Sequence, residues 1–224
     1  MLYALGDPLS FLLLVLAFVV CAVLAGWLSA LAGTRLQPPL PAPGEPGRTR
    51  PDPRRQLDPF GCVGAAVAGP GWARPIEVPE HRRGTAVALA VLAGPLVVLA
   101  LGLGVLGGYG AVHSPVPASV TLLQNGAGRL PPIQEAWVLG GLMATYVGAL
   151  SLVPLPPLPG GQALFALAPR TAGWQRARAQ LVERNIGTAV LLALLLIPLG
   201  GPQALLPTVL DRILDPLVRA VSGG

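Results

Sequence analysis

Charge is what this sequence has least of. Only 11% of its 224 residues are Asp, Glu, Lys or Arg, against roughly 25% in a soluble globular chain. So few charges cannot cover a surface that faces water on every side. Disorder is excluded too, because disordered segments combine low hydrophobicity with high charge. Lysine is absent, so all 15 basic residues are arginine and the net charge is +5. That bias reads as codon usage in a GC-rich genome rather than a nucleic-acid-binding face, because the arginines cluster in two loops. The two cysteines, Cys21 and Cys62, are too few for a disulfide framework or a four-cysteine zinc site. Both lie in apolar stretches and read as buried free thiols. Histidine is equally scarce: His81 and His113 are the whole supply.

What is abundant is apolar surface, with 53% hydrophobic residues and a mean hydropathy of +0.65. The chain reads as an all-α integral membrane protein with about four transmembrane helices. Residues 8–34 carry no charge for 27 positions, and about 20 apolar residues cross the hydrocarbon core. The Ala30-Leu31-Ala32 run mimics a signal-peptidase site. The apolar stretch is long, however, and its amino end carries Asp7 and no basic residue, so it reads as a retained span over 9–33. Further spans are expected at 85–112, 136–168 and 185–206. The third is 33 residues long, and Pro154, Pro156, Pro157 and Pro159 must break it near its carboxyl end. The apolar stretch 60–73 is only 14 residues, too short to cross, and suits a re-entrant or interfacial segment. Residues 1–206 form the expected transmembrane domain. In the tail, 207–224, Leu210, Ile213, Leu214, Leu217, Val218 and Val221 keep helical spacing. Asp211, Arg212, Asp215 and Arg219 fall on the opposite face, the pattern of an interfacial amphipathic helix.

Arginine also sets the orientation. The stretch from Arg35 to Arg83 holds eight arginines and that from Arg170 to Arg184 holds four, whereas His113 to Glu135 holds only Arg129. The arginine-rich loops 35–83 and 170–184 are therefore expected in the cytoplasm. An integral location in a bacterial plasma membrane follows.

Three stretches carry a resemblance. The first is Leu57-Asp58-Pro59-Phe60-Gly61, followed by Gly71-Trp72-Ala73-Arg74-Pro75-Ile76-Glu77-Val78. The second is Arg82-Arg83-Gly84 leading to Ala93-Gly94-Pro95-Leu96. The third is Ser151-Leu152-Val153-Pro154-Leu155-Pro156-Pro157-Leu158-Pro159-Gly160-Gly161. In order and spacing they resemble the site-2 protease family of intramembrane zinc metalloproteases, over about residues 10 to 170. In that family an HExxH helix supplies two histidine ligands one turn apart and a glutamate base for zinc-bound water. An LDGG aspartate completes the metal site, and two asparagines assist.

Each of these polar positions is changed here. The HExxH positions fall on Cys21, Ala22 and Ala25. The asparagine positions fall on Val98 and Ser151, and the aspartate position on Pro159. His81 and His113 belong to opposite loops, so about 30 Å of membrane would separate them. The resemblance therefore implies a degenerate member with no catalytic residues, no metal ligands and no zinc. It would act as a regulator, adaptor or structural partner of another transmembrane protein, within the lipid bilayer and without nucleic acid. Ala25, Gly26, Gly160 and Gly161 are the partner-binding candidates, because small residues permit close approach. Cys21 and Ala25 are expected near Leu158 to Gly161 in a dry, apolar junction, with Ala22 among the small residues that let the backbones approach.

Two other readings compete. One is an active intramembrane protease or hydrolase with altered chemistry, using Thr145, Tyr146 or Ser151. Single hydroxyls in a span, however, tend to bond their own backbone. The other is a small-molecule transporter, which the absence of an intramembrane charge disfavours.

Overall fold

A computed structural model of the chain describes residues 1–36, 49–76, 78, 83–116, 119–127, 130–169, 171–198 and 204–223. His81, Glu77, Glu80 and Arg82 lie outside the described residues. The described chain is helical, and its only β pairing is one antiparallel bridge between Leu57 and Ala73.

Three helices are long and apolar enough to cross a bilayer: α1 (Pro8–Leu36), α4 (Thr85–Val112) and α6 (Pro132–Leu152). α6 is central. Of its most apolar window 72% is buried, against 44% for α1 and for α4. α4 and α6 approach closely because a side chain at Gly102 would overlap Thr145, and one at Gly148 would overlap the Leu99 backbone. Such small-residue contacts replace the hydrophobic drive that lipid removes. Outward-facing leucines such as Leu12 and Leu16 on α1 and Leu89 and Leu101 on α4 remain exposed, as lipid-facing positions would.

The expected span 136–168 divides where its prolines predicted. α6 stops at Leu152, a turn-rich loop holds a cis peptide between Pro156 and Pro157, and α7 (Pro159–Leu167) follows. Proline fits at the first turn of α7, where its missing N–H has no helical role. The carboxyl end of α7 is tied to the start of α4. Gly84 N–H donates to the Ala166 carbonyl, and the Arg83 guanidinium donates to the Ala168 carbonyl.

Between α1 and α4 the chain folds back on itself around a short apolar helix. A one-turn helix, α2 (Pro53–Gln56), is capped by the Asp52 carboxylate. Asp58 then caps α3 (Pro59–Ala68), accepting from Gly61 N–H at 2.8 Å. The Leu57–Ala73 bridge and a 2.7 Å bond from Arg74 N–H to the Gln56 carbonyl bring the returning strand back beside the start of α3. Its far end meets other elements. The Met1 amine donates to the Ala66 carbonyl, and Gln124 of α5 (Val120–Asn125) donates to the Ala68 carbonyl.

The expected span 185–206 proves shorter. α8 (Ala172–Arg178) passes through a π-turn, Ala179–Glu183, and the chain bends by 63° into α9 (Ile186–Leu196). α9 has 11 residues, about 16 Å at the helical rise. It ends there because Ile197 precedes Pro198 and takes an extended conformation. It packs against α3, with Leu195 beside Gly64. Two half-length helices thus sit together on one flank.

α10 (Leu205–Ser222) is amphipathic, as its spacing predicted, but it does not simply float on a surface. Leu206, Leu210, Leu214 and Val218 bury one stripe on the bundle, while Val209, Ile213, Leu217 and Val221 stay exposed. Asp211 is a correction to the expected outer polar face. Its carboxylate accepts from the Tyr146 hydroxyl and, at 3.0 Å, from Val120 N–H, so it pins α10 to α6 and α5. Glu135 is likewise buried and not a loop charge. It meets the Ser10 hydroxyl and accepts from Ala127 N–H at 3.2 Å.

A closed junction at the candidate functional site

α1, α4 and the α6–α7 loop converge on one point. Ala25 and Gly26 of α1, Val91 and Pro95 of α4, Ser151 of α6 and Pro159 of α7 surround a void of about 10 Å³, room for about one water. Arg74 and Ile76 of the returning strand also line it.

The α1–α4 crossing there rests on one serine. Pro95 sits inside α4 and has no N–H, so the Val91 carbonyl loses its usual helical partner. Ser29 replaces it: its hydroxyl donates to Val91 O at 2.8 Å and accepts from Gly94 N–H at 3.1 Å. Gly94 is needed because a methyl group there would overlap the Ala25 carbonyl oxygen. On the other side of α1, the buried Gln56 side chain lies where a side chain on Gly26 would go.

A curated protein of Bacillus subtilis (strain 168), named "Putative zinc metalloprotease YwhC", is 31% identical over 159 residues, which cover 69% of this chain and 68% of that protein. The chain belongs to that zinc-metalloprotease family. No family model matches the chain, and no solved structure does.

Membership makes zinc the metal to test against these residues, and they do not fit it. Zinc needs imidazole, thiolate or carboxylate ligands. Ala25, Ser29, Val91, Pro95, Ser151 and Pro159 offer methyl, isopropyl, pyrrolidine and two hydroxyl groups, both engaged with backbone carbonyls, and Arg74 is a cation. Among the described residues no three His, Cys, Asp or Glu come together as a possible metal site.

The expected site residues divide between several places. Ala25, Ser151 and Pro159 meet at the void. Ala22, about one turn before Ala25 on α1, is fully buried in the core. Cys21 is a correction to the expected junction: it lines a groove between α1 and α6 with Ala17, Ala136 and Gly140, and not the void that Ala25 and Pro159 share. Val98 is buried one turn beyond Pro95 and does not reach the void.

The partner-binding candidates need correction. Ala25 and Gly26 are buried against α4 and Gln56. Side chains at Gly160 and Gly161 would overlap the Leu152 and Leu155 backbones. These small residues serve approaches within the chain. The sequence signal for smallness was correct, but smallness does not say which neighbour uses it.

The hydroxyl candidates are also occupied. Thr145 donates to the Gly141 carbonyl at 2.8 Å and Ser151 to the Val147 carbonyl at 2.7 Å, each one turn back on its own helix. Tyr146 donates to Asp211. Sequence reasoning missed Ser29 and Gln56, although a serine facing a helix that contains proline is a readable cue.

Proposed function

We propose that this chain is a catalytically silent, site-2-protease-like member of its zinc-metalloprotease family, and that it works by holding another membrane protein. The observation that carries this reading is the junction of Ala25, Ser151 and Pro159 around a void of about 10 Å³. The family resemblance puts metal ligands and an asparagine at these positions, and here they are packed side chains. Polar groups inside a membrane cost free energy unless they serve a function, so their joint replacement suits a chain kept for its shape. Among the described residues Thr145 and Ser151 each donate to a carbonyl of their own helix and meet no carboxylate or imidazole, and a hydroxyl nucleophile needs a base.

The test is purification in mild detergent with two measurements on one sample. Elemental analysis should find far less than one zinc per chain after chelator treatment. Co-purification should yield a stoichiometric membrane partner that is not cleaved. One retained zinc per chain, or a partner recovered only as cleaved fragments, refutes the reading.

A further inference from the structure

α10 carries more apolar surface than its place in the bundle uses. A helix with one face on a core and the other in water needs one apolar stripe, and the rest of it is polar. Leu206, Leu210, Leu214 and Val218 are that stripe, and they are buried. A second stripe runs beside it. Leu205, Val209, Ile213, Leu217 and Val221 recur every four residues and are between 41% and 54% exposed. Thr208, Arg212, Asp215 and Arg219 form a third, polar row. At about 100° per residue the three rows adjoin around the helix, so core, second stripe and polar row each take one sector.

The neighbours of α10 fix its level. Val221 and Ser222 lie against Gly107 and Gly110 of α4, where a methyl group on Gly110 would overlap the Ser222 carbonyl oxygen. Just beyond, Tyr109 and His113 of α4 stack with ring centroids 4.6 Å apart, and Trp137 of α6 stands edge-on to both. Tyrosine and tryptophan gather where acyl chains give way to headgroups. Asp211, in contrast, meets Tyr146, about 14 Å further along α6 than Trp137 at the helical rise. α10 therefore slopes from the aromatic level into the body of one leaflet. Its second stripe also continues a surface that already faces outward. Val221 touches Gly107, and Gly104, Gly108 and Ala111 around that glycine belong to the exposed face of α4.

The make-up of the rows selects their occupant. Helices in this bundle meet through glycine, as Gly94, Gly102 and Gly148 do. The second stripe holds only Leu, Ile and Val, with no small residue to admit another backbone, whereas acyl chains need no such approach. In the polar row Asp215 pairs with Arg219 at 2.7 Å, and Asp211 beside it is taken by Tyr146 and Val120 N–H. Arg212 is exposed and has no partner among the described residues. We propose that α10 is a phospholipid-docking helix. Its second stripe is immersed in the acyl chains of the leaflet at the carboxyl end of α4. Arg212 runs its stem along those chains and meets a headgroup phosphate. The two arginines and two aspartates of α10 cancel in charge, so the seat takes the phosphate common to phospholipids and does not select anionic ones. This docking is independent of catalytic silence, because it involves none of the junction residues.

The experiment places spin labels on the full chain in phosphatidylcholine vesicles. In a Cys62→Ala background, with Cys21 buried, Val209→Cys, Ile213→Cys and Leu217→Cys label the stripe, and Thr208→Cys and Arg219→Cys label the polar row. Collision with oxygen reports acyl chains, and collision with a neutral nickel chelate reports water. The ratio of oxygen to nickel collisions should be several-fold higher on the stripe than on the polar row. Stripe labels that favour nickel overturn the docking, because the stripe would then face water. Stripe labels shielded from both overturn it too, because a second copy or another protein would then cover them. The phosphate is read by melting in maltoside micelles, which contain none. Added phosphatidylcholine should raise the midpoint of the wild type by a few degrees more than that of Arg212→Gln. Equal shifts refute the phosphate contact, and a markedly larger shift with phosphatidylglycerol refutes the lack of selection.

Discussion

Replacing Ser29 by alanine removes one oxygen and leaves the α1–α4 crossing otherwise intact, because Ser29 is buried and its neighbours are small. Two backbone groups lose their partner. Gly94 N–H can return to the ordinary helical bond with the Ala90 carbonyl, so its loss is minor. The Val91 carbonyl cannot recover, because the residue four positions on is Pro95. One orphaned buried carbonyl costs about 1–3 kcal/mol, and hydrogen bonds between membrane helices average about 0.6 and reach about 1.7 kcal/mol. The expected loss for Ser29→Ala is therefore about 1–2 kcal/mol. Pro95→Ala returns an N–H to the helix, so in that background Ser29→Ala should cost only a few tenths of a kcal/mol. A double-mutant cycle, read by thermal or denaturant unfolding in mild detergent, should thus give a coupling of about 1 kcal/mol. If Ser29→Ala costs the same with Pro95 present or replaced, the serine is not compensating for the proline and the argument fails.

Other outcomes follow from the same contacts. Ala25→Leu should lower stability by about 1–3 kcal/mol through overpacking, because the void beside it holds about 10 Å³. A variant as stable as wild type in a melting assay would mean the junction is open. Asp211→Leu should cost about 1–3 kcal/mol by leaving Tyr146 and Val120 N–H without their acceptor, whereas Asp211→Asn keeps an acceptor and should cost far less. Burial, with a smaller push from Asp215, raises the Asp211 carboxyl above its usual range, against the bonds from Tyr146 and Val120. The folded state then holds that proton more tightly than the unfolded one. Stability should fall as pH rises from about 4, the free-chain value, to the raised one, and Asp211→Asn should flatten that slope in pH-dependent melting. A reporter fused after Arg178 should behave as cytoplasmic and one after Ala127 as external, as the arginine distribution requires. The opposite pair of results would invert the orientation.

The long spans were legible because length and lack of charge are enough to specify them: 85–112 coincides with α4, and α1 adds only a few residues to 9–33. The proline-rich break after α6 was legible for the same kind of reason, since proline acts locally. The same rule applied to Pro198 would have shortened the expected span 185–206, since α9 ends at Leu196 and Ile197 is extended before that proline. α5 was passed over as loop, although Ser119 caps its start and Gly126, with positive φ, ends it. Its six residues are too few for periodicity to register. At the site, the loss of polar chemistry could be read residue by residue. What could not be read was which small residue touches which backbone, because Gly94, Gly160 and Gly161 look alike in sequence and meet different partners. The Tyr146–Asp211 and Ser10–Glu135 pairs join residues 65 and 125 positions apart, a separation that no local pattern encodes.

The half-length helix α3 has a consequence for how the chain is made. Its ten residues are fewer than the roughly 20 that a bilayer retains as a span, so the translocon has no reason to release it sideways into lipid. Its seat consists of Met1, α5 and α9, and α9 is synthesised more than a hundred residues later. The amino-terminal third of the protein must therefore wait, incompletely inserted, for the carboxyl-terminal third. A ribosome stalled before α9 would expose α3, and Gly64 on the face that Leu195 covers, to membrane quality-control proteases. The relevant vulnerability of this fold lies in its biogenesis, at a stage that equilibrium unfolding of the finished protein does not sample.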